Sequence, residues 1–364
     1  MQQERLTRNL AQLISFDTTT GLDTQQDVLR LFSWYIEKIE NPGFQSRVFQ
    51  KNGFNSLIIE PKKKNVGPVI TLLAHIDVVP APKELFTARE REGKLYGRGA
   101  SDMKAAAAVF LELLNTIPDV ENKNVRLVLV SDEEIGGFNG VNALLEAGEL
   151  QSDVVILPDG GDNFQLVEAA KGFIHVTITT RGKSAHGSRP WEGENAFDPL
   201  LSGYAKLLQT FNNFDHGYWV NTVNLGRVAG GLSANTIPDS ASLTLDLRYT
   251  QNFTHEQIME QLYEVFGPGC QYQVTASGDF FNLDLENTFV TQMIALIEKT
   301  TQKPIELRRD FGSSDARFFT RYGTPVLQIK PEAGAHHTDD EWVDIESLQL
   351  YTALLAQYIA NIHF

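Results

Sequence analysis

PVITLLAHIDVVPAPKELFTAREREGKLYGRGASDMKAAAA, residues Pro68 to Ala108, is the stretch on which the fold turns. It opens on an apolar run, Val69 to Ala74, short and β-branched enough to read as a buried strand. His75 and Asp77 follow at once. After a turn-rich loop, Gly97-Arg98-Gly99-Ala100-Ser101 delivers Asp102 to the start of an alanine-rich helix. One imidazole and two carboxylates thus stand at the ends of secondary elements, where α/β folds place their chemistry. The pattern recurs downstream. Val125 to Val130 ends in Ser131-Asp132-Glu133-Glu134, and Val154 to Leu157 ends in Pro158-Asp159-Gly160-Gly161. Three apolar strands that finish in acids, the first adding a histidine, ask for a metal.

On either side of this stretch the elements alternate. Leu6, Leu10, Leu13 and Ile14 repeat at helical spacing, as do Val28, Leu29, Leu31, Phe32 and Ile36, with a stop expected near Asn41-Pro42-Gly43. Short strands are expected around 47–49 and 56–59, with Lys62-Lys63-Lys64 read as a solvated hairpin tip. From Pro68 to Leu157 strands alternate with helices at 105–114 and 140–147, which means βαβ units and a mostly parallel sheet. After Lys171-Gly172 the texture changes. A strand at 173–180, a helix at 199–211, strands near 219–228 and 241–249, a helix at 255–266 and a strand near 272–276 give β-α-β-β-α-β, the split-βαβ or ferredoxin-like order. The α/β texture returns from about Asp279, with helices at 288–300, from Ser314 and from Ile345, and a strand at 325–329. The expectation is an α/β catalytic domain, 1–172 and 277–364, with an α+β domain, 173–276, inserted into it.

The chain has 364 residues, enough for two domains, with 42% hydrophobic and 21% charged residues. A formal net charge of −15 argues against nucleic acid or an anionic membrane as partner. A single cysteine, Cys270, supplies neither a disulfide framework nor a thiolate metal site. The polar start, Met1-Gln2-Gln3-Glu4-Arg5, shows no signal peptide, and no apolar run approaches the ~20 residues of a membrane span. A soluble, cytoplasmic protein is the expectation.

Zinc and its neighbours take nitrogen from histidine and oxygen from carboxylates, and a pair of ions about 3.5–4 Å apart needs a bridging carboxylate. His75, Asp102, Glu134, Asp159 and His337 offer two imidazoles and three carboxylates: one of each per ion, and one to share. Asp77 suits the support of a ligand imidazole, and Glu133 is the free carboxylate able to take a proton from water.

His75-Ile76-Asp77, Gly97 to Lys104, Asp132-Glu133-Glu134-Ile135-Gly136-Gly137 and His337 before Asp340-Glu341 resemble the co-catalytic zinc amidohydrolases. That family includes succinyl-diaminopimelate desuccinylase, acetylornithine deacetylase, aminoacylase, glutamate carboxypeptidase and several di- and tripeptidases. The resemblance runs over nearly the whole chain. It implies two zinc ions, with cobalt or manganese as substitutes: His75, Asp102 and Asp159 on one, Asp102, Glu134 and His337 on the other. It implies Glu133 as general base, working on a hydroxide that bridges the ions to hydrolyse an amide, Asp77 as support for His75, and a cis peptide between Asp102 and Met103. In the inserted domain, Arg181 to Gly187 is similar to the segment whose histidine, here His186, reaches a partner subunit's site and stabilises the oxyanion. Gly230 to Pro238 and Leu245 to Arg248 resemble segments whose Asn235 and Arg248 contact substrate, the arginine at a carboxylate. Gly312-Ser313-Ser314-Asp315-Ala316-Arg317 resembles a substrate-binding loop of the catalytic domain, with Gly312 and Ser313 as the implied contacts. A homodimer through the inserted lid and dimerisation domain is implied, with a small peptide or N-acyl amino acid as substrate. Aspartate at 159 resembles the dipeptidase and aminopeptidase branch, and a deacylase of N-acyl amino acids is the rival.

Each feature alone has a plainer reading. His75 could be structural, Asp102 an N-cap, Glu133-Glu134 a solvated acidic turn, and Asp159 an Asx-turn residue before Gly160. His186 could be an exposed loop residue and Arg248 a surface charge. His336 competes with His337, whose four-residue spacing to Glu341 matches the family. His175, His216, His255 and His363 read as structural or solvated. Gly182-Lys183-Ser184 mimics the end of a phosphate loop but lacks its first glycine, and no Gly-x-Ser-x-Gly elbow exists. A non-catalytic metal or amino-acid binding protein would be expected to lack the base or a ligand, and all are present.

Overall fold

A computed structural model describes residues 2–63, 65–211 and 219–362; Lys64, His216 and His363 lie outside them. The chain is mixed α/β and divides into two compact units. One comprises Met1–Glu168, Leu283–Arg308 and Ser314–Phe364, the other Ala169–Asn282 and Arg309–Ser313. The expected boundaries, 172/173 and 276/277, fall at the start of the strand Gly172–Arg181 and inside the strand Gln271–Gly278. Gly172 pairs with Tyr249, and a Cβ there would lie 2.3 Å from the Tyr249 ring, so this residue is built into the second unit.

The first unit is organised on a six-stranded sheet in the order Phe44–Lys51, Phe54–Pro61, Val125–Val130, Ile70–His75, Val154–Ile156, Val326–Leu327. The last three pairings are parallel and the first two antiparallel. Ile70–His75 is buried at every position, as are Val154–Ile156 and all but Arg126 of Val125–Val130, which is why these strands read as unbroken apolar runs. Helix Lys104–Thr116, whose alanines 105–108 are buried, packs on Ile70–His75 and against helices Gln2–Ile14 and Ile345–Asn361. The parallel strands point their carboxyl ends the same way, so His75, the 131–134 turn and Asp159 emerge at one edge.

The first two strands meet at Asn52-Gly53, both left-handed (φ 48° and 88°), which is the turn chemistry of a two-residue hairpin. The expectation for the lysine triplet is corrected accordingly: Lys62 and Lys63 are exposed just beyond the second strand rather than at the tip. A small antiparallel sheet, Ala333–Gly334, Trp342–Asp344, Lys94–Tyr96 and Arg89–Arg91, occupies part of the loop expected between 78 and 97. The helix expected from Ser314 is the single turn Arg317–Thr320.

The second unit has the strand order Thr222–Gly230, Ser240–Tyr249, Gly172–Arg181, Gln271–Gly278, all antiparallel, with helices Phe197–Thr210 and His255–Phe266. Ser240–Tyr249 alternates buried and half-buried without a break, and Ile174, Val176, Ile178, Leu243, Leu245 and Leu247 pack with the helices into one core. Thr254 caps the second helix through a reciprocal box with Gln257. This is the ferredoxin-like arrangement expected from the pattern. No helix among the described residues is long and apolar enough to cross a membrane.

Candidate active site

His75 ends its strand with its ring buried. Its Nδ1 lies 3.0 Å from the Asp77 backbone carbonyl, which can only accept, so Nδ1 carries a proton and Nε2 faces the site. That Nε2 is 3.0 Å from Asp102 Oδ1 and 3.9 Å from Asp159 Oδ1. The other oxygen of Asp102, Oδ2, is 3.2 Å from His337 Nε2, which is 3.4 Å from Glu134 Oε1. Two groups result, His75-Asp102-Asp159 and Asp102-Glu134-His337, in each of which the ligating atoms lie within 4.8 Å of one another. Asp102 belongs to both and turns one oxygen to each imidazole. The peptide between Asp102 and Met103 is cis. Asp102 does not act as an N-cap: helix Lys104–Thr116 begins after Met103 without a side-chain cap.

Asp77 stands beside His75, its carboxylate 3.6 Å from Nδ1, and that carboxylate also accepts from the backbone N–H of Glu133 (3.3 Å) and of Glu134 (3.1 Å). Its backbone carbonyl holds the imidazole, while its carboxylate holds the one-turn helix Glu133–Ile135 on which Glu133 and Glu134 sit.

The site is crowded with negative charge. Burial and the neighbouring Asp159 push the Glu133 carboxyl well above its ordinary value, and burial raises Asp159 as well. Burial would lower His75, yet hydrogen bonds to Asp102 and Asp159 hold it well above the usual imidazole value. His337 is pushed up to about 10 by hydrogen bonds to Asp102 and Glu134. Burial would raise Asp102, but the two imidazoles hold it well below the carboxylate range. Burial pushes Asp77 up to about 7. In such a set both imidazoles are held protonated by carboxylates, and divalent cations answer the same field more completely than two protons do.

Supports surround the turn that carries Glu133 and Glu134. Buried Arg317 donates to the Gly136 carbonyl (2.6 Å) and to that of Ser314 (2.7 Å). Gly137 is left-handed (φ 64°), and a Cβ there would lie 1.9 Å from Oδ1 of buried Asp315, whose carboxyl burial pushes up to about 8. His336 joins neither group: its Nδ1 is 2.7 Å from Ser101 Oγ, and its Nε2 is 3.3 Å from both Lys330 Nζ and Asp162 Oδ1. Sequence reasoning missed Lys330, because a buried charge carries no periodic signal; Asp315 and Arg317 lie in the segment from Gly312 to Arg317 that it singled out for substrate, and the structure places them at Gly137 and Gly136.

In the second unit, His186 is exposed, with Nδ1 accepting from the Ser188 backbone N–H (3.1 Å) and its strand segment bridging to Thr236. Asn235 is exposed and accepts from Ser233 Oγ; its backbone carbonyl accepts from Gly187 N. Both loops, with Phe197 and Leu232, line an open depression of about 740 Å³. Arg248 is held by Asp246 through Nε (2.8 Å) and Nη2 (3.2 Å), and lies over Phe173. His175 stands 3.3 Å from the same Asp246. Gly312 is open to solvent, and the buried Ser313 hydroxyl finds no partner among the described residues.

The chain is 26% identical over 317 residues to a succinyl-diaminopimelate desuccinylase of Acinetobacter baumannii (strain AYE), covering 81% of this chain and 84% of the relative. Its fold matches that of the aminopeptidase PepT from Bacillus cereus with a TM-score of 0.80 at 20% identity, covering 99% of each chain. It also matches the YXEP protein of Bacillus subtilis, described as a dinuclear metal binding peptidase, with a TM-score of 0.66 at 17% identity and 98% of each chain covered. Residues 71–361 match the family model of peptidase family M20/M25/M40. Strand ends that gather two imidazoles and three carboxylates around a shared aspartate are thus found in a chain that belongs to peptidase family M20/M25/M40, a family of metal-dependent hydrolases.

Proposed function

We propose that this chain hydrolyses the amide bond of a small peptide, most readily a dipeptide or the N-terminal bond of a short peptide, with Glu133 as general base. The observation that carries this reading is the shared Asp102, one oxygen toward His75 and the other toward His337. The donor set is nitrogen and oxygen only and holds more carboxylates than its two imidazoles neutralise, which fits two divalent ions, zinc in our reading. His75, Asp102 and Asp159 would hold one ion, and Asp102, Glu134 and His337 the other. Such ions lower the pKa of water to about 7 and polarise a carbonyl.

The chain's own residues do the rest. Glu133, its carboxyl raised by burial, takes a proton from the attacking water and returns it to the leaving amine. Asp77 fixes the backbone of the Glu133–Ile135 turn. His186 is read as the donor that stabilises the oxyanion, and Asn235, Arg248, Gly312 and Ser313 as substrate contacts, Arg248 toward a carboxylate. A second copy is read as docking along the edge strand Thr222–Gly230, beside which Leu232 is almost fully exposed; light scattering of the purified chain tests this. A cytoplasmic setting is part of this reading, and fractionation tests it.

Glu133→Gln is expected to lower kcat at least ~10²-fold with metal content unchanged. Full activity at full metal content would dispose of the assignment. The likeness to a desuccinylase favours a second reading, a deacylase of N-acyl amino acids. A panel of dipeptides against N-acetyl and N-succinyl amino acids, with added Zn²⁺ or Co²⁺, separates the two.

A further inference from the structure

Glu341 is a buried carboxylate that belongs to neither ligand group, and four donors converge on it. Its Oε1 accepts from the backbone N–H of Ser101 (2.8 Å) and of Asp102 (3.0 Å). Its Oε2 accepts from Arg98 Nη1 (2.6 Å) and from the N–H of Gly99 (3.0 Å). Its backbone carbonyl accepts from Gly97 N (3.1 Å), extending the antiparallel pairing of Trp342–Asp344 with Lys94–Tyr96. The loop that ends in Asp102 leaves one of these strands and the segment bearing His337 enters the other. Glu341 sits where they join.

The loop is shaped to the carboxylate. Gly97 and Gly99 hold φ of 154° and 82°, and a Cβ at Gly99 would lie 2.9 Å from Lys104 Cδ and 3.0 Å from Val78 Cγ1. Three backbone N–H groups of one short stretch, those of Gly99, Ser101 and Asp102, point at one acceptor, an arrangement suited to a fixed negative charge.

We propose that Glu341 is a positioning residue that sets the separation of Asp102 and His337, and with it the affinity of the metal position built from Asp102, Glu134 and His337. The proposal rests on the two-ion reading above. Asp102 is common to both positions, but His75 and Asp159 come from the parallel sheet, while His337 lies on the segment that runs through Glu341 into the strand Trp342–Asp344. Disturbing Glu341 therefore falls mainly on one position. Glutamine cannot replace the carboxylate, because whichever way its amide turns, an –NH₂ faces two of the four donors.

The metal-free full chain is titrated with Co²⁺, read by calorimetry and visible absorption. Two equivalents are expected in the wild type. In Glu341→Gln the equivalent assigned to Asp102-Glu134-His337 is expected to weaken at least ~10-fold, and the other to stay within about threefold. Glu112→Gln, which breaks the bidentate pair of buried Glu112 with half-buried Arg5, is the control for general destabilisation and is expected to leave both equivalents within about threefold. Where Glu341→Gln does not fold, Arg98→Met takes its place; it removes one donor and is expected to give the same ranking at smaller size. Two wild-type-like equivalents, equal weakening of both, or the same loss in Glu112→Gln would overturn the proposal alone. A wild type that takes fewer than two ions would overturn the two-ion reading and this proposal together.

Discussion

Asp77→Asn tests how the two halves of the site are tied together. The buried Asp77 carboxylate accepts from the N–H groups of both Glu133 and Glu134, and asparagine offers only one accepting oxygen. One buried N–H of the turn is left without a partner, which costs about 1–3 kcal/mol. Taking about 2 kcal/mol as misplacement of the Glu133 turn, at 1.36 kcal/mol per factor of ten, kcat/KM should fall about 30-fold. The backbone carbonyl that holds His75 Nδ1 is untouched, so the ion held by His75, Asp102 and Asp159 should stay. The assay is kcat/KM on the substrate the wild type cleaves fastest, alongside metal content per chain. A loss below about threefold would refute the reasoning. So would a loss that tracks departure of the ion at His75, which would mean that the carboxylate acts through the imidazole after all.

His337→Ala should leave one tightly held ion per chain, because only the Asp102-Glu134-His337 group loses a member; metal analysis showing two would contradict the grouping. Gly137→Ala combines a left-handed backbone with a Cβ 1.9 Å from Asp315 Oδ1, and should cost about 2–5 kcal/mol, a fall of several degrees in Tm by scanning fluorimetry; an unchanged Tm would contradict the packing. Burial would raise Asp162, but His336 and Lys330 hold it well below the usual carboxylate range, so its contribution to stability is complete above about pH 4 and is lost as pH falls toward the native value. The Tm difference between wild type and Asp162→Asn should therefore be largest near pH 7 and shrink below about pH 4, and a difference constant down to pH 3 would sink the assignment.

The parallel core was legible because Ile70–His75, Val125–Val130 and Val154–Ile156 are buried on both faces except at Arg126 and so are mostly apolar, and their ends betray the chemistry by turning acidic at once. The ferredoxin-like unit was legible through alternation, most clearly in Ser240–Tyr249. What escaped has a common cause. Strands of two or three residues such as Ala333–Gly334 and Lys94–Tyr96 exist because of partners far along the chain, and they are too short to show any period. The Asn52-Gly53 turn carried a signal that the neighbouring lysines obscured. Asp77 could be placed beside His75 from its number alone, but which of its oxygens served which neighbour depended on a turn 56 residues away.

The candidate ligands are spread unevenly along the chain. His75, Asp102 and Asp159 are all in place by residue 159, together with the parallel strands that present them, whereas the other group waits for His337. During synthesis, which proceeds from the amino end, the three residues of the first group emerge early, but the loop that sets Asp102 waits for Glu341, so both groups reach their final geometry only after almost the entire polypeptide has emerged. Chains cut short before His337 would lack a member of the second group and the anchor of the first.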